Sequence, residues 1–400
     1  MDEHPRGGRH YPRSAGEFQS WFVTDADCLD YLAWLRWPQG FVCPRCQNPS
    51  GWVVAGGAYK CASCLKHTAI TADTLFDRRR TPLTVWFAAC WQFATAKDGI
   101  SALGLQRTLE IGSYQTAWAM LHRLRSVLVR PGRDRLVGTV EVDESYFGGE
   151  EPGLRGGRQK GKKVLVGVAV ELQAPRGLGR CRMGVLSDAS ATSLERFVTE
   201  NVEPGSTLVT DGWSSYPSAV RNRYAHQPIN VKRSGQPAHV VLPGVHRVAS
   251  LAKRWILSTH QGSVADPHLQ SYLNEFVFRF NRRNSRSRGL LFYRLLELAA
   301  DHDPVRYRQL IADSRSKKVP LADTLPFSEA KAHLSERVER EHERILVTRN
   351  GRPSFVLVSP DDLESLEETL DILADPDLVA SLARSRSEAA RGELLPLPSA

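Results

Sequence analysis

Two acidic residues stand at the ends of strand-like segments. Asp143 lies in Val-Glu-Val-Asp-Glu-Ser-Tyr-Phe-Gly-Gly (140–149) and Asp211 in Thr-Leu-Val-Thr-Asp-Gly-Trp (207–213). In each, β-branched and apolar residues lead into a carboxylate and glycine follows, the pattern by which a buried strand delivers an acid to the edge of a sheet. Two carboxylates brought side by side can hold a divalent metal for phosphoryl transfer. Such a site needs a third ligand from a later helix, and two residues offer one. His246 opens the stretch His-Arg-Val-Ala-Ser-Leu-Ala-Lys-Arg-Trp, and Lys253 follows it by two helical turns on the same face, placed to meet a DNA phosphate. Glu275 lies in a helix expected over 269–283 whose apolar stripe is Leu273, Phe276, Val277 and Phe280. With Arg279 it reads as an i,i+4 pair on the helix surface. We favour His246, a softer and neutral ligand, and keep Glu275 as the alternative. Glu144 neighbours Asp143 and so faces the other side of its strand, which suits packing or an ion pair.

A second constellation is made of cysteines. Cys43-Pro-Arg-Cys46 and Cys61-Ala-Ser-Cys64 each put two thiolates on one tight turn, and two such turns complete a tetrahedral S₄ site for structural Zn²⁺ with no position open to substrate. The segment between them predicts a hairpin with arms at 52–54 and 58–60. Cys28, Cys90 and Cys181 stand alone and read as small core residues.

These groups require elements to hold them. Residues 82–96 predict an apolar helix opened by Pro82, and 101–109 a second helix. Ser113 caps a third, running into His122, Arg123, Leu124 and Arg125. Helix, glycine-containing turn and basic helix resemble a helix-turn-helix, with Arg123 and Arg125 as DNA contacts. Strands at 140–147, 164–172 and 180–187, a helix at 192–202, the Asp211 strand, a short strand near 228–232 and helices from about 246 describe an RNase H-like fold. There the first and fourth strands are neighbours, so Asp143 and Asp211 meet. A basic loop at 155–163 flanks the site and offers Arg155, Arg158, Lys160, Lys162 and Lys163 to phosphates.

The net charge of +9 is unevenly spread. Residues 319–400 carry 9 Lys+Arg against 16 Asp+Glu, whereas 1–318 carry 44 against 28. The first part suits a polyanion and the last does not. No run of about 18 apolar residues predicts a membrane span, and the first residues have no apolar signal core. Seven cysteines without such a signal point to a reducing, cytoplasmic setting. The chain therefore reads as a multidomain α/β protein. Its parts are a zinc ribbon (19–80), a helical, helix-turn-helix-like DNA-binding segment (81–130), an RNase H-like catalytic domain (136–300), a linker (301–318) and a small α+β domain (319–400) with a disordered tail.

Residues 19–300 resemble the insertion-sequence transposases that join an N-terminal zinc ribbon to an RNase H-like core of the ISXO2-like type. The paired CxxC turns, Val-Asp-Glu-Ser-Tyr-Phe-Gly-Gly, Thr-Asp-Gly-Trp-Ser-Ser-Tyr and His-Arg-Val-Ala-Ser-Leu-Ala-Lys-Arg-Trp carry the likeness, and Tyr-Leu-Asn-Glu-Phe-Val-Phe-Arg-Phe-Asn-Arg-Arg (272–283) extends it. Members vary at the third catalytic position among Glu, Asn and His, with a basic residue seven places on. The resemblance implies Asp143, Asp211 and His246 as the catalytic set with Lys253 behind them. It implies two Mg²⁺ (or Mn²⁺) ions about 4 Å apart that activate water and then a DNA 3′-hydroxyl, with Asp143 bridging both ions. Partners implied are double-stranded DNA, as terminal inverted repeats and target, and further copies of the chain assembled on it.

The last block predicts strand, helix, hairpin and helix. Ser328 caps the first helix, Asn350-Gly351 turns the hairpin and Asp361 caps the second helix. Leu-Pro-Phe-Ser-Glu-Ala-Lys-Ala-His-Leu-Ser and Ile-Leu-Val-Thr-Arg-Asn-Gly-Arg-Pro resemble the Phd/YefM-type antitoxins, which implies a cognate toxin as partner. An insertion element fused in frame to an antitoxin gene accounts for the combination. Three functions follow as expectations: an active transposase, a DNA-binding remnant without catalysis, or a toxin-neutralising antitoxin carried on an inactive transposase.

Overall fold

A computed structural model describes residues 5–315 except 55–56, 131, 149–162, 176, 221–222, 262–265 and 286, together with three C-terminal strands at 324–326, 345–349 and 352–357. Two compact units divide at Arg315 and Ser316.

Helices α1 (Ala15–Trp21) and α2 (Asp25–Arg36) precede the ribbon, and the sequence reading had neither. Both begin at side-chain caps: Ser14 accepts from the Glu17 N–H, and Thr24 and Asp27 form a reciprocal capping box. Strands β1 (Gly51–Val53), β2 (Tyr59–Cys61) and β3 (His67–Thr68) make the antiparallel ribbon, with Trp52 opposite Lys60 as the expected hairpin arms require. Then come α3 (Leu83–Thr95), α4 (Ala102–Thr108) and α5 (Tyr114–Ser126). Ser113 caps the last as anticipated, Ser101, expected as the first helical residue, is instead the cap of α4, and Glu110 takes the left-handed turn position between them at φ 51°.

The sheet consists of β4 (Thr139–Phe147), β5 (Val164–Gln173), β6 (Gly177–Leu186), β7 (Thr207–Thr210) and β8 (Ala225–Pro228), with α6 (Ala191–Asn201) before β7 and α7 (Tyr216–Val220) after it. Strand order is β6-β5-β4-β7-β8. The first three pair antiparallel, and β7 runs parallel to β4 and to β8. Strand β8 ends before the expected 228–232 because Asn230 caps a helical turn, α8 (Val231–Ser234). Beyond it lie α9 (Ala238–Val241), α10 (Pro243–His260), α11 (Leu269–Asn281), α12 (Arg288–Ala300) and α13 (Tyr307–Arg315).

Alternation along β4 separates two cores. Val140 and Val142 pack with Leu194, Phe197 and Tyr216 of α6 and α7, whereas Phe147 packs with Val245, Val248 and Ala252 of α10 and with α11. A third core is all helical. Phe18, Phe22 and Leu32 meet Phe87, Leu121 and Phe292, so α12, which follows the sheet in sequence, packs with helices that precede it. Burying rings such as Phe87 and Phe292 completely stabilises the bundle by roughly 2 kcal/mol each. The helical part is thus assembled from both sides of the sheet segment. Residues 301–318, expected as a linker, contain α13, whose Tyr307 ring lies 6.3 Å from Trp118.

In the second unit β9 (Thr324–Pro326) runs parallel to β10 (Ile345–Arg349), which pairs antiparallel with β11 (Arg352–Leu357) in the register of the expected hairpin. The helices expected from Glu329 and Asp361, and the tail, lie outside the described residues.

Candidate active site and metal centre

Strand β4 and helix α10 run side by side, and their contacts form a ladder. The register of β4 on β7 pairs Val140 with Leu208 and Glu141 with Val209, so two residues further along each chain Asp143 and Asp211 come to the same end of the sheet. Asp143 shares its face of β4 with Glu141, Ser145 and Phe147, and all four meet α10 or its side chains. Glu141, 3% exposed, accepts from the Val245 N–H at 2.9 Å. Asp143 Oδ2 lies 3.6 Å from His246 Nε2. Lys253 Nζ donates to Ser145 Oγ at 2.8 Å and stands 5.3 Å from the Phe147 ring centroid.

Helix α10 begins with Pro243 in its first turn, and Leu242 at its N-cap supplies no side-chain cap. Glu141 fills that role from the neighbouring strand, with its carboxylate on the first free N–H groups of the helix. Burial pushes the Glu141 pKa up, and the N–H groups of Val245 and Gly244 oppose it. The approach demands a glycine: a Cβ on Gly244 would lie 2.7 Å from Glu141 Oε2. The sequence reading missed Glu141. Its signal was the period of two in Val-Glu-Val-Asp, which sets it on the face of Asp143.

Within the ladder His246 is half-buried, and its Nε2 has no hydrogen-bond partner among the described residues. Burial lowers its pKa, helped by the charges of His239 and Lys253 and opposed by Asp211, so the ring is held neutral. A neutral imidazole nitrogen facing a carboxylate oxygen is a donor set that fits a divalent metal. Asp211 Oδ1 accepts from the Trp213 N–H at 3.0 Å, and Asp143 Oδ1 from the Glu144 N–H at 2.8 Å. Behind them the fully buried Tyr216 phenol is held protonated by burial and by the charges of Glu144, Asp143 and Asp211. Glu144 therefore looks toward the α6–α7 side, as its place next to Asp143 required. Burial also lowers the pKa of Lys253, as does the charge of Lys163 at the far edge of the basic loop. Arg155, Arg158, Lys160 and Lys162 lie outside the described residues.

Glu275 belongs to a different arrangement. It is 0% exposed and paired with Arg125 Nε at 2.9 Å and Arg279 Nε at 3.0 Å. The i,i+4 pair exists, but in the interior, where α5 supplies a second arginine. This corrects two expectations. Arg125, 1% exposed, is unavailable to DNA because it neutralises a buried carboxylate and lies over the Tyr272 ring. Arg123 is partly buried, with its Nε donating to the Val305 carbonyl. The exposed part of α5 is its start, at Tyr114 and Gln115.

The four cysteines are gathered more tightly than the carboxylate set. Cys43 Sγ and Cys64 Sγ are 3.6 Å apart, Cys46 Sγ and Cys61 Sγ 3.5 Å, and all four sulfurs lie within 4.8 Å of one another. Among the described residues no other group of three or more such ligand atoms is as close. These separations approach the edge of a tetrahedron built on Zn–S bonds of about 2.3 Å. Burial resists ionisation of Cys43, but the backbone N–H groups of Cys46 and Arg45 outweigh it and bring its pKa down to about 6. The donor set fits structural zinc. Cys28 and Cys181 are buried with their thiols pushed up to about 12 by burial, as core residues should be.

A mixed α/β unit bearing a Cys₄ ribbon and acids at a strand edge defines a class, and comparison with known proteins supplies the family. Residues 135–281 match the ISXO2-like transposase domain, residues 23–67 the transposase zinc-ribbon domain, and residues 322–392 the Phd_YefM antitoxins of type II toxin-antitoxin systems. An uncharacterized protein in transposable element ISH50 of Halobacterium salinarum is 27% identical over 281 residues, 64% of this chain and 91% of that protein. Antitoxin RelB of Mycobacterium tuberculosis is 40% identical over 74 residues, 18% of this chain and 83% of its own length. Antitoxin RelF of the same organism is 41% identical over 71 residues, 17% and 76%. The chain thus carries a transposase zinc-ribbon domain and an ISXO2-like transposase domain, followed by a Phd/YefM antitoxin segment at its C-terminal end. No helix among the described residues is long and apolar enough to cross a membrane.

Proposed function

We propose that the chain is a catalytically competent DNA transposase with an RNase H-like core, acting on the ends of its own element. The observation that carries this reading is the convergence of Asp143, Asp211 and His246 through the β4–β7 register and the β4–α10 ladder. Mg²⁺ or Mn²⁺, held by these three, would activate the attacking oxygen and offset charge on the phosphate. The chain's own groups do the rest. Glu141 holds the start of α10 so that His246 faces Asp143. Lys253, steadied by Ser145, presents an ammonium to a neighbouring phosphate. Tyr216 keeps the inner side of the acids dry and uncharged. In the first step a water oxygen bonds to phosphorus as the bond to the 3′-oxygen breaks, and that oxygen leaves as a 3′-hydroxyl with the proton the water gives up; in the second this 3′-hydroxyl bonds to a target phosphorus as the target's own bond to its 3′-oxygen breaks and takes up the proton. Neither step needs a covalent protein–DNA bond.

The test is metal-dependent cleavage, by the full chain, of the DNA that flanks its gene. His246→Ala should abolish cleavage and Glu275→Gln should leave Mg²⁺ dependence unchanged. The reverse ranking transfers the third ligand to Glu275.

A second reading concerns the last unit, and the identity with two antitoxins favours it. Residues 322–392 would bind a cognate toxin, in keeping with the excess of acid over base in this part of the chain. Rescue of growth during toxin expression tests it, and Asp143→Ala should not alter the outcome.

A further inference from the structure

At the far end of α10 the molecule has a groove of about 650 Å³ between α10, α11, the start of α12 and the turn after α3. Its floor is apolar, with Trp255, Phe276 and Leu257, the last 66% exposed. Lys97, Arg254 and Arg288 stand exposed around it, and none of the three forms an ion pair among the described residues. Other cations in the wall are already engaged: Arg279 by Glu275, and Arg283 by the carbonyls of Gly179 and Phe280. One acid, Asp98, is present, and its carbonyl ties the turn to Trp255 Nε1 and Thr259 Oγ1 at 2.8 and 2.6 Å. The groove is therefore preformed, apolar below and left with uncompensated positive charge above.

Its position ties it to the carboxylates. Counting along α10, Ser250, Lys253 and Leu257 follow His246 at i+4, i+7 and i+11, one face of the helix, and all three are exposed. From His246 to Leu257 the helix rises about 16 Å, roughly five phosphate steps of one DNA strand. The stripe ends at Leu257 on the edge of the groove, and the groove's other residues on this helix, Leu251, Arg254, Trp255 and Ser258, lie round the helix from it.

We propose that this groove grips the DNA flank: Lys97, Arg254 and Arg288 contact phosphates of the strand that leaves the reacting phosphodiester, and Trp255 and Leu257 support its sugars and bases. The inference rests on the transposase reading and adds to it a second, non-catalytic contact that measures out the substrate. An apolar floor under a cationic rim suits a nucleic-acid strand, which has a charged edge and stackable bases.

The probe is a fluorescein-labelled duplex of arbitrary sequence, about 40 base pairs long, titrated with the full chain without added Mg²⁺ over roughly 50 to 200 mM NaCl. The combined variant Lys97→Ala, Arg254→Ala, Arg288→Ala should lower the slope of log affinity against log salt by about 2 to 3 and weaken binding about 10- to 100-fold at 0.15 M. The variant with Arg254→Lys and Arg288→Lys should keep the slope, since charge is retained. Where the triple variant fails to fold, judged by zinc content and melting, each single alanine variant should still remove about one unit of slope. An unchanged slope in a folded variant overturns the groove and leaves the transposase reading intact. Failure of the wild-type chain to bind the duplex overturns the reading beneath it. Polyglutamate serves as a control: variants that lose polyglutamate binding but keep the duplex slope would assign the groove to an acidic protein and refute the proposal.

Discussion

The zinc ribbon and the proposed carboxylate site gather their candidate metal ligands at opposite scales. Four thiolates come from 22 consecutive positions, 43 to 64, and two tight turns bring every sulfur within 4.8 Å of the others. The acids and the histidine span 104 positions, 143 to 246, and need a parallel strand register and a helix capped from another strand to bring them near. A local site has little fold to hold it, so the metal must stabilise it. A distributed site is held by a sheet with two apolar faces, and a metal proposed there would supply chemistry rather than structure.

The largest test of this contrast is removal of the ribbon's metal. Cys43→Ser or Cys61→Ser should release zinc and unfold residues 41–68, because thiolate coordination contributes on the order of 10 kcal/mol to such a small element. Elemental analysis and proteolysis should register the loss at the ribbon while α6 and β4–β7 stay protected. Uniform loss of protection across both regions would erase the distinction.

At the acids the expectation is reversed. Asp143→Ala or Asp211→Ala should cut strand cleavage about 1000-fold or more, some 4 kcal/mol in the barrier, with melting temperature and DNA affinity nearly unchanged. A large fall in stability would mean that these acids are structural.

Glu275 provides an internal control, a buried carboxylate outside both sites. Glu275→Gln leaves Arg125 and Arg279 short of charge in the interior and should cost about 3 kcal/mol of stability, read by urea unfolding.

A smaller effect is expected at the helix cap. Gly244→Ala should collide with Glu141 and slow cleavage by roughly tenfold, about 1.4 kcal/mol, with zinc content unchanged. Relief of that defect by the shorter Glu141→Asp, to the same extent with Mg²⁺ and with Mn²⁺, would mark Glu141 as a positioning residue.

Acid should weaken the helical core before the sheet. Burial, with Arg125 nearby, holds the His122 pKa near about 2 and the His260 pKa near about 4. Below the ordinary value near 6.5 the unfolded chain takes up protons that the native chain refuses, so stability falls with pH through that window down to about pH 4. The slope of melting temperature between pH 7.5 and 5.5 should be shallower in His122→Phe, which makes this the finest of the five measurements.

How much was legible beforehand follows from how local each feature is. The paired CxxC turns, the acids that follow the strand-like runs, the cap at Ser113 and the helix that carries His246 were readable, because each rests on neighbours within a few residues. Helices α1 and α2 escaped notice because their apolar faces are short and become core only against α3 and α12. Two arginines were misread for the same reason. Spacing put Glu275 beside Arg279 and ranked Arg125 as a free cation on a basic helix, but whether an i,i+4 pair is wet or dry depends on what packs over it.

Residue types and spacing alone identify which groups have chemistry to offer: thiolates that cannot avoid one another, carboxylates at strand ends, and a histidine with a lysine two turns on. Tertiary structure alone decided which of the remaining charges are spent. It buried Arg125 against Glu275, set Glu141 on the N-terminus of α10, and left Lys97, Arg254 and Arg288 exposed around an apolar floor, with no ion pair among the described residues. Local spacing settles what a turn or a strand presents, whereas burial is a property of surfaces that meet only when distant segments pack.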